Sequence, residues 1–203
     1  MSTKPSPHLA RVTSVTPLSN GKWIQTRKID YVDPAGEPRV WEMAVRTTRS
    51  KTTAIDAVSI VSILHNTKEI ILVKQFRPPT EHVVIELPAG LIDEHETVAT
   101  TAVRELIEET GYHGKFIRSS PVMHSDPGLT NANMVLAYVD VDLNDPRNKD
   151  PKPQLEQGEF IETFTLPLSG LLQKLDYMIE QEKVTVDARL YHLAQGLQLA
   201  TQL

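Results

Sequence analysis

Three glutamates, Glu105, Glu108 and Glu109, stand near the end of a segment whose apolar residues recur at the spacing of an α-helix. Thr97 is suited to cap the start of this helix, and Gly111 to end it. Like charges four residues apart repel by about 0.2–0.5 kcal/mol, and carboxylates in the last turns face the negative end of the helix dipole. Because carboxylate-bound divalent cations such as Mg²⁺ offset this repulsion, the spacing predicts a metal site.

An ordinary solvated surface is the alternative explanation, and it is the usual one for a charged helix face. Arg104 stands four residues before Glu108 and would relieve part of the repulsion through an ion pair. Ala102 and Leu106 belong to the face that is expected to pack, and the carboxylates occupy the adjoining face. The residues alone therefore favour a metal site without excluding a surface role.

The composition predicts a globular protein and excludes several kinds of site. The chain has 203 residues, 40% of them hydrophobic, a formal net charge of -5 and no cysteine. The negative charge argues against nucleic acid as a partner, and the lack of cysteine excludes disulfides and thiolate ligands. No apolar run has the length of a membrane span, and no signal-peptide pattern opens the chain. We expect no membrane partner and a cytoplasmic or nuclear location.

Strand patterns lie on both sides of the acidic helix, and two further helical patterns follow them. This order predicts a mixed α/β or α+β sandwich. The polar, proline-bearing stretch 144–159 is expected to be a mobile loop. The predicted strands are 22–33, 39–49, 56–64, 69–76, 82–87, 114–123, 133–143 and 160–167, and the predicted last helices are 168–183 and 186–200.

The acidic segment resembles the Nudix box of the Nudix hydrolases, G-x5-E-x7-R-E-U-x-E-E-x-G-U, where U is apolar or aromatic. The residues that fill this pattern are Gly90, Glu96, Arg104, Glu105, Leu106, Glu108, Glu109, Gly111 and Tyr112. The resemblance implies a Nudix fold, an α/β/α sandwich, and hydrolysis of a nucleoside diphosphate linked to another group. It also implies Mg²⁺ as the cofactor, with Mn²⁺ as a substitute.

The resemblance assigns a role to each polar residue of the box. By likeness, Glu105 and Glu109 are the principal metal ligands, and Arg104 orients them. Glu108 and Glu96 are nearby supports or outer ligands. Gly90 lets the chain turn into the helix and brings the carbonyl oxygen of Ala89 toward the metal.

Beyond the box, the chain resembles the ADP-sugar pyrophosphatase branch of the family, and especially its eukaryotic ADP-ribose members. The similar segments, in order, are VKQFRPP, IELPAGLID, DPGLTN, GEF and VTVDAR. This likeness implies hydrolysis of ADP-ribose to AMP and ribose 5-phosphate. Two alternatives stay open, namely a Nudix enzyme for another diphosphate compound and a non-hydrolytic ADP-ribose sensor that controls a partner.

The branch also supplies roles for residues outside the box. Arg46 and Arg77 resemble phosphate-binding arginines, which suits the planar guanidinium. Glu159 resembles a loop glutamate that completes the metal site or activates water. Asp126 and Glu86 resemble acidic residues that surround the substrate. The alternatives are that the two arginines form surface ion pairs with carboxylates, and that Glu159 is an ordinary solvent-exposed acid.

The N-terminal region carries the only two tryptophans, Trp23 and Trp41. Both side chains would ordinarily be expected to pack in the hydrophobic core. In the eukaryotic ADP-ribose enzymes that the chain resembles, however, this region is exchanged across a homodimer, and similarly spaced tryptophans sandwich the adenine. We therefore expect residues 1–55 to form a β-rich region for dimerisation and adenine binding, and residues 56–203 to form the Nudix domain.

Overall fold

The computed structural model describes residues 4–203, which contain strands, three α-helices and three short 3-10 turns. None of these helices is long and apolar enough to span a bilayer. The strands are β1 (Arg11–Asn20), β2 (Ile24–Val32), β3 (Pro38–Arg46), β4 (Ala57–Leu64), β5 (Glu69–Arg77), β6 (His82–Glu86), β7 (Ala89–Leu91), β8 (Lys115–Ser119), β9 (Met123–His124), β10 (Asn133–Val141), β11 (Ile161–Pro167) and β12 (Thr185–Val186). The helices are α1 (Val98–Thr110), α2 (Leu171–Glu182) and α3 (Ala188–Ala200), and the 3-10 turns are Pro7–Leu9, Pro78–Thr80 and Pro146–Asn148.

The chain divides into two compact units. The first consists of the chain up to Asp56 together with Val122–Met134, and the second consists of Ala57–Pro121 together with Val135–Leu203. This division adds Val122–Met134, a segment far along the chain, to the N-terminal part. The sequence predicted one boundary, between residues 55 and 56, and did not assign this later segment to the N-terminal part.

The first unit is built on a three-stranded antiparallel sheet in the order β1-β2-β3. The predicted hairpin of the two tryptophan-bearing strands is present, with Val32 opposite Pro38 and Ile24 opposite Arg46. The β1 strand was not predicted, and all ten of its residues are exposed. The β1 strand therefore lacks, on both of its faces, the buried side chains that normally stabilise a sheet.

A buried ion pair fixes the segment Val122–Met134 within the first unit. Asp56 is 1% exposed, and its carboxylate binds the Arg49 guanidinium at 3.1 and 2.7 Å. Arg49 also donates to the Asn131 carbonyl at 2.6 Å, and Asp56 accepts from the backbone N–H of Asn133 at 2.9 Å. Because a buried carboxylate must be paired and hydrogen-bonded, these contacts hold the segment against the N-terminal residues.

The second unit is a sandwich around a mixed sheet, as the sequence predicted. Its strand order is β12-β6-β5-β4-β10-β8, with β11 on β5 and β7 on β4. Adjacent residues of β11 point to opposite faces. Thr163 donates to the Glu109 carbonyl of α1 at 3.0 Å, while Phe164 packs on the core that includes Leu175 of α2 and Leu190 of α3. The sheet therefore separates α1 from α2 and α3.

Helix α1 begins and ends where the sequence predicted. Thr97 caps it by accepting from the Thr100 N–H at 3.2 Å, and Thr100 returns the bond by accepting from the Thr97 N–H at 2.8 Å. Gly111 ends it with a φ of 74°, in the left-handed region that favours glycine. One residue differs from the expected polar face, because Glu109 is only 8% exposed. It lies at the border of the apolar stripe and points inward.

The loop between β10 and β11 is fastened to the end of α1. Asn148 is 3% exposed and bonds to the backbone of His113 and Asp142. The Gln154 N–H donates to the Glu108 carbonyl at 2.7 Å, which satisfies one of the last carbonyls of the helix. The expected mobility of this loop stays a prediction.

We predict that Gly111→Ala destabilises the protein. An added Cβ would overlap the backbone of Pro151 and Lys152, and the left-handed conformation alone costs about 1–2 kcal/mol. Denaturant unfolding should show a loss of at least this size. Gly196→Ala is the matched control, because Gly196 lies in α3 with open space around it and should gain about 0.5–1 kcal/mol. Equal stability of Gly111→Ala and the wild type would contradict the packing of this loop.

Candidate active site

An acidic cleft of about 320 Å³ opens in the second unit beside α1. The strands β5 and β7, the helix α1 and the loop before β11 each contribute side chains to it. The residues that line it are Gln75, Arg77, Ala89, Gly90, Leu91, Asp93, Arg104, Glu105, Glu108, Glu109, Glu156 and Glu159. Most of the polar side chains on this wall are carboxylates, so the cleft suits a cationic ligand or a metal-bridged anion.

Arg104 holds the glutamates of the box in place. Its guanidinium binds Glu96 at 2.7 Å through Nε, and its Nη1 donates to Glu105 at 2.9 Å and to Glu108 at 2.8 Å. Its Nη2 also donates to the Leu91 carbonyl at 3.2 Å. The hydrogen bond from Arg104 to Glu96, helped by one from the Thr101 hydroxyl, lowers the pKa of Glu96 to about 2. Because the guanidinium fork is rigid, Arg104 fixes three carboxylates relative to one another.

Glu109 is the most deeply buried carboxylate of the cleft. Its Oε2 accepts a hydrogen bond from the Ala89 N–H at 3.0 Å. Burial raises its pKa to about 8 against the lowering effect of the Ala89 hydrogen bond, and the nearby charges of Glu105 and Glu159 also act to raise it. Burial also raises the pKa of Glu105. A bound cation would stabilise both carboxylates in the ionised form.

The local backbone is shaped to leave room for these carboxylates. A Cβ added at Gly90 would overlap the carboxyl group of Glu105, so any other residue would displace that side chain. Within residues 4–203, no three His, Asp or Glu side chains stand in the arrangement of a formed metal site. The donor chemistry nevertheless fits a hard divalent ion, because the lining groups are carboxylate and backbone oxygens.

Glu159 lies at the edge of the cleft on a tight turn. Its backbone N–H donates to the Glu156 carbonyl at 3.1 Å, and its carboxylate accepts from the Glu156 N–H at 2.9 Å. Gly158 makes this turn with a φ of 97°. The Glu159 charge acts on Glu105 and on Glu109, whose pKa values it raises. The predicted loop glutamate therefore belongs to the same acidic cluster.

Arg77 supplies a positive charge to the same cleft. Its guanidinium makes a double hydrogen bond with Glu86, at 2.8 and 2.5 Å. Glu86 is 6% exposed and does not line the cleft, so its role is to hold the Arg77 guanidinium in position. The pair raises the pKa of Arg77. A fixed guanidinium of this kind is suited to bind phosphate oxygens.

Trp41 lines a separate cavity of about 260 Å³ within the first unit. Its indole Nε1 donates to the Gly128 carbonyl at 3.0 Å, which fixes the ring while half of its surface stays exposed. Pro127 and His124 also line this cavity. Asp126 lies between them in the sequence and shapes the turn, since its carbonyl accepts from the N–H of Leu129 and Thr130.

The two tryptophans of one chain lie far apart along the β2–β3 hairpin. The Trp23 carbonyl bonds to the Thr47 N–H, whereas Trp41 lies opposite Ile29 further along the hairpin. The six-residue step from Thr47 to Trp41 corresponds to roughly 20 Å of extended strand. A base stacked between two rings needs them roughly 7–8 Å apart. The backbone positions of the two tryptophans along the hairpin are therefore further apart than this spacing.

The predicted site residues are therefore divided between the two units. Trp23, Trp41, Arg46 and Asp126 belong to the first unit, where Arg46 is exposed at the end of β3. The remaining predicted residues belong to the second unit, and all of them line the cleft except Glu86 and the supporting Glu96.

Three polar cleft residues had not been identified from the sequence, namely Gln75, Asp93 and Glu156. Gln75 could have been found, because it stands two residues before Arg77 on a strand and so shares its face. Asp93 and Glu156 lie in irregular segments, where no periodicity indicates the direction of a side chain.

Comparisons with known proteins agree with this geometry. The NUDIX domain family model matches residues 53–187. The chain is 47% identical to the ADP-ribose pyrophosphatase of Saccharomyces cerevisiae, over 93% of this chain and 82% of that protein. It is 43% identical to the ADP-sugar pyrophosphatase of Mus musculus, over 98% of this chain and 91% of that protein. A crystal structure of an ADP compounds hydrolase has a similar fold, with a TM-score of 0.64 at 19% identity over 99% of this chain and 97% of that one. The predicted family is confirmed, and the chain belongs to the NUDIX domain family.

Proposed function

We propose that this protein hydrolyses the pyrophosphate bond of ADP-ribose and related ADP-sugars, with Mg²⁺ as the cofactor. Water attacks one phosphorus, the bridging P–O bond breaks, and the products from ADP-ribose are AMP and ribose 5-phosphate. The similarity to the pyrophosphatases of yeast and mouse, named for ADP-ribose and ADP-sugars, supports this substrate class.

One observation carries the proposal. The guanidinium of Arg77 and the carboxylates of Glu105, Glu109 and Glu159 meet in one cleft. A diphosphate needs positive groups on its oxygens, and a hydrolytic site needs a base near the attacking water. An anionic substrate would be repelled by carboxylates alone, so the acidic wall is consistent with a cation between it and the substrate.

Each residue then has a defined task. The oxygen atoms of Ala89, Glu105, Glu108 and Glu109 would hold the Mg²⁺ ion. When bound, the ion supplies charge neutralisation at the diphosphate and activation of the attacking water. Arg77 binds phosphate oxygens, and Arg104 keeps the glutamates in register. Glu159 takes the proton of the attacking water.

The direct test is hydrolysis of a panel of diphosphate compounds in Mg²⁺ buffer, with Glu109→Gln beside the wild type. We expect ADP-ribose to be cleaved, and turnover to fall by about 10²–10³-fold or more in Glu109→Gln, the scale of losing one preorganised charge-stabilising group. Without Mg²⁺, the melting temperature of the variant should be unchanged or higher than that of the wild type, because a neutral amide avoids the desolvation of a buried charge.

Glu162→Gln is the matched control, since Glu162 is exposed on β11 and does not line the cleft. It should keep wild-type turnover. Normal hydrolysis by a folded Glu109→Gln variant would contradict the role of this carboxylate. Binding of ADP-ribose by the wild type without cleavage would instead point to a sensor.

We further propose that the protein is a homodimer whose N-terminal regions are exchanged and whose adenine sites are shared between subunits. Exposed apolar side chains are concentrated in the small sheet, where Val12, Val15 and Leu18 lie on β1 and Val40 on β3. A second copy that covers them would offset the cost of their exposure. The separation of Trp23 from Trp41 along one hairpin supports the use of one tryptophan from each chain.

We predict that each Trp→Ala substitution weakens ADP-ribose binding roughly 5- to 150-fold, the loss of about 1–3 kcal/mol of base stacking. Trp23→Ala and Trp41→Ala homodimers should both be impaired. Mixing them under conditions of subunit exchange should restore one complete site in each heterodimer. No recovery despite proven exchange would contradict a shared site, and a monomer in light scattering would exclude the dimer itself.

A further inference from the structure

Gln75 is the neutral polar side chain in a cleft whose other polar side chains are charged. It is half-buried on β5. Among the residues that the structure describes, its side-chain amide has no hydrogen-bond partner, in contrast to Arg77, Glu109 and Glu159. The amide is not one of the buried side-chain groups that lack a partner, so water in the cleft can reach it. A ligand that displaced this water could take over its hydrogen bonds.

The strand register shows why the protein offers this amide no partner. Gln75 lies opposite Val84 on β6 and opposite Ile161 on β11. Side chains in such a cross-strand row share one face of the sheet. Because both neighbours are apolar, they flank the amide without bonding to it, and its polar end is available to the cleft.

The same register brings the amide beside the phosphate-binding guanidinium. In the backbone register of β5 and β6, Arg77 lies opposite His82, and Val73 lies opposite Glu86. The Arg77 side chain nevertheless binds Glu86. The Arg77 side chain must therefore run back along the sheet, across the row that contains Gln75, to reach its carboxylate. A ligand held by Arg77 would thus have its neighbouring atoms next to the Gln75 amide.

The chemistry of the amide identifies those atoms. A glutamine side chain has two donor hydrogens and an acceptor oxygen, which matches the mixed donor and acceptor character of sugar hydroxyls. Phosphate oxygens only accept, and the arginine already serves them. We propose that the Gln75 amide binds hydroxyl groups of the second sugar, the one joined to the diphosphate opposite adenosine, and sets the preference for that sugar. This inference rests on the proposed hydrolysis of ADP-sugars.

The test compares two substrates that differ only in the second sugar. ADP-ribose carries it, whereas the β-methyl ester of ADP keeps the adenosine and the diphosphate but has no hydroxyls beyond them. The variant is Gln75→Met, which keeps the length of the side chain and removes its hydrogen bonds. The matched control is Gln181→Met, because Gln181 is exposed on α2 and does not line the cleft.

In Gln75→Met, kcat/KM for ADP-ribose should fall roughly 2- to 12-fold for each hydrogen bond lost. The value for the methyl ester should stay within about twofold of the wild type, and Gln181→Met should change neither. Denaturant unfolding of each variant checks that the fold is intact, and Gln75→Ala gives a second variant if the methionine is poorly tolerated.

An equal loss on both substrates would overturn the assignment, because Gln75 would then contact the diphosphate or the adenosine. No loss on either substrate would overturn it as well. Failure of the wild-type protein to cleave ADP-ribose is a separate result, which would reject the proposed function before any variant is compared.

Discussion

The burial of the Glu109 carboxylate is the constraint on which the rest of the site depends. Few proteins bury an acid without a cationic partner, because the desolvation of a charge is costly. Here a single N–H from Ala89 bonds to a carboxylate that is 8% exposed, and the charges of two further carboxylates each act on its pKa more strongly than the opposing charge of Arg77. The cost is tolerated because it creates a strong preference for a cation, which is what diphosphate chemistry requires.

Two devices keep this unfavourable cluster in one arrangement. Arg104 fixes Glu96, Glu105 and Glu108 with one rigid fork, so that the acids cannot turn away from one another. The glycine at position 90 gives Glu105 the space that its carboxyl group occupies. Arginine and glycine thus act together, the first through charge and the second through the absence of a side chain.

The loop that carries Glu159 shows how the end of one helix positions a distant residue. The last turn of α1 holds the loop through the Glu108 carbonyl, and β11 resumes the sheet at Ile161 opposite Gln75. Only a short segment of the loop lies between these two fixed points, and its turn at Gly158 places Glu159 in the acidic cleft. The mobility predicted for the stretch 144–159 would be compatible with closure over a substrate.

The sequence was informative wherever the determinants are local. Thr97 and Gly111 bound the acidic helix because caps act within one turn, and the box spacing identified the glutamates. The burial of Glu109 and its hydrogen bond from β7 were not predictable, because both depend on how the folded sheet packs against α1. The attachment of Val122–Met134 to the first unit was missed for the same reason.

The most direct measurement is the free energy of unfolding of the wild type and of Glu109→Gln as Mg²⁺ is raised at constant ionic strength. If the buried acidic cluster binds the ion, the wild type gains stability with concentration, by about 2.7 kcal/mol at 100 times the dissociation constant. The variant should gain much less. Stability of the wild type that does not respond to Mg²⁺, or an equal response of both proteins, would contradict the account.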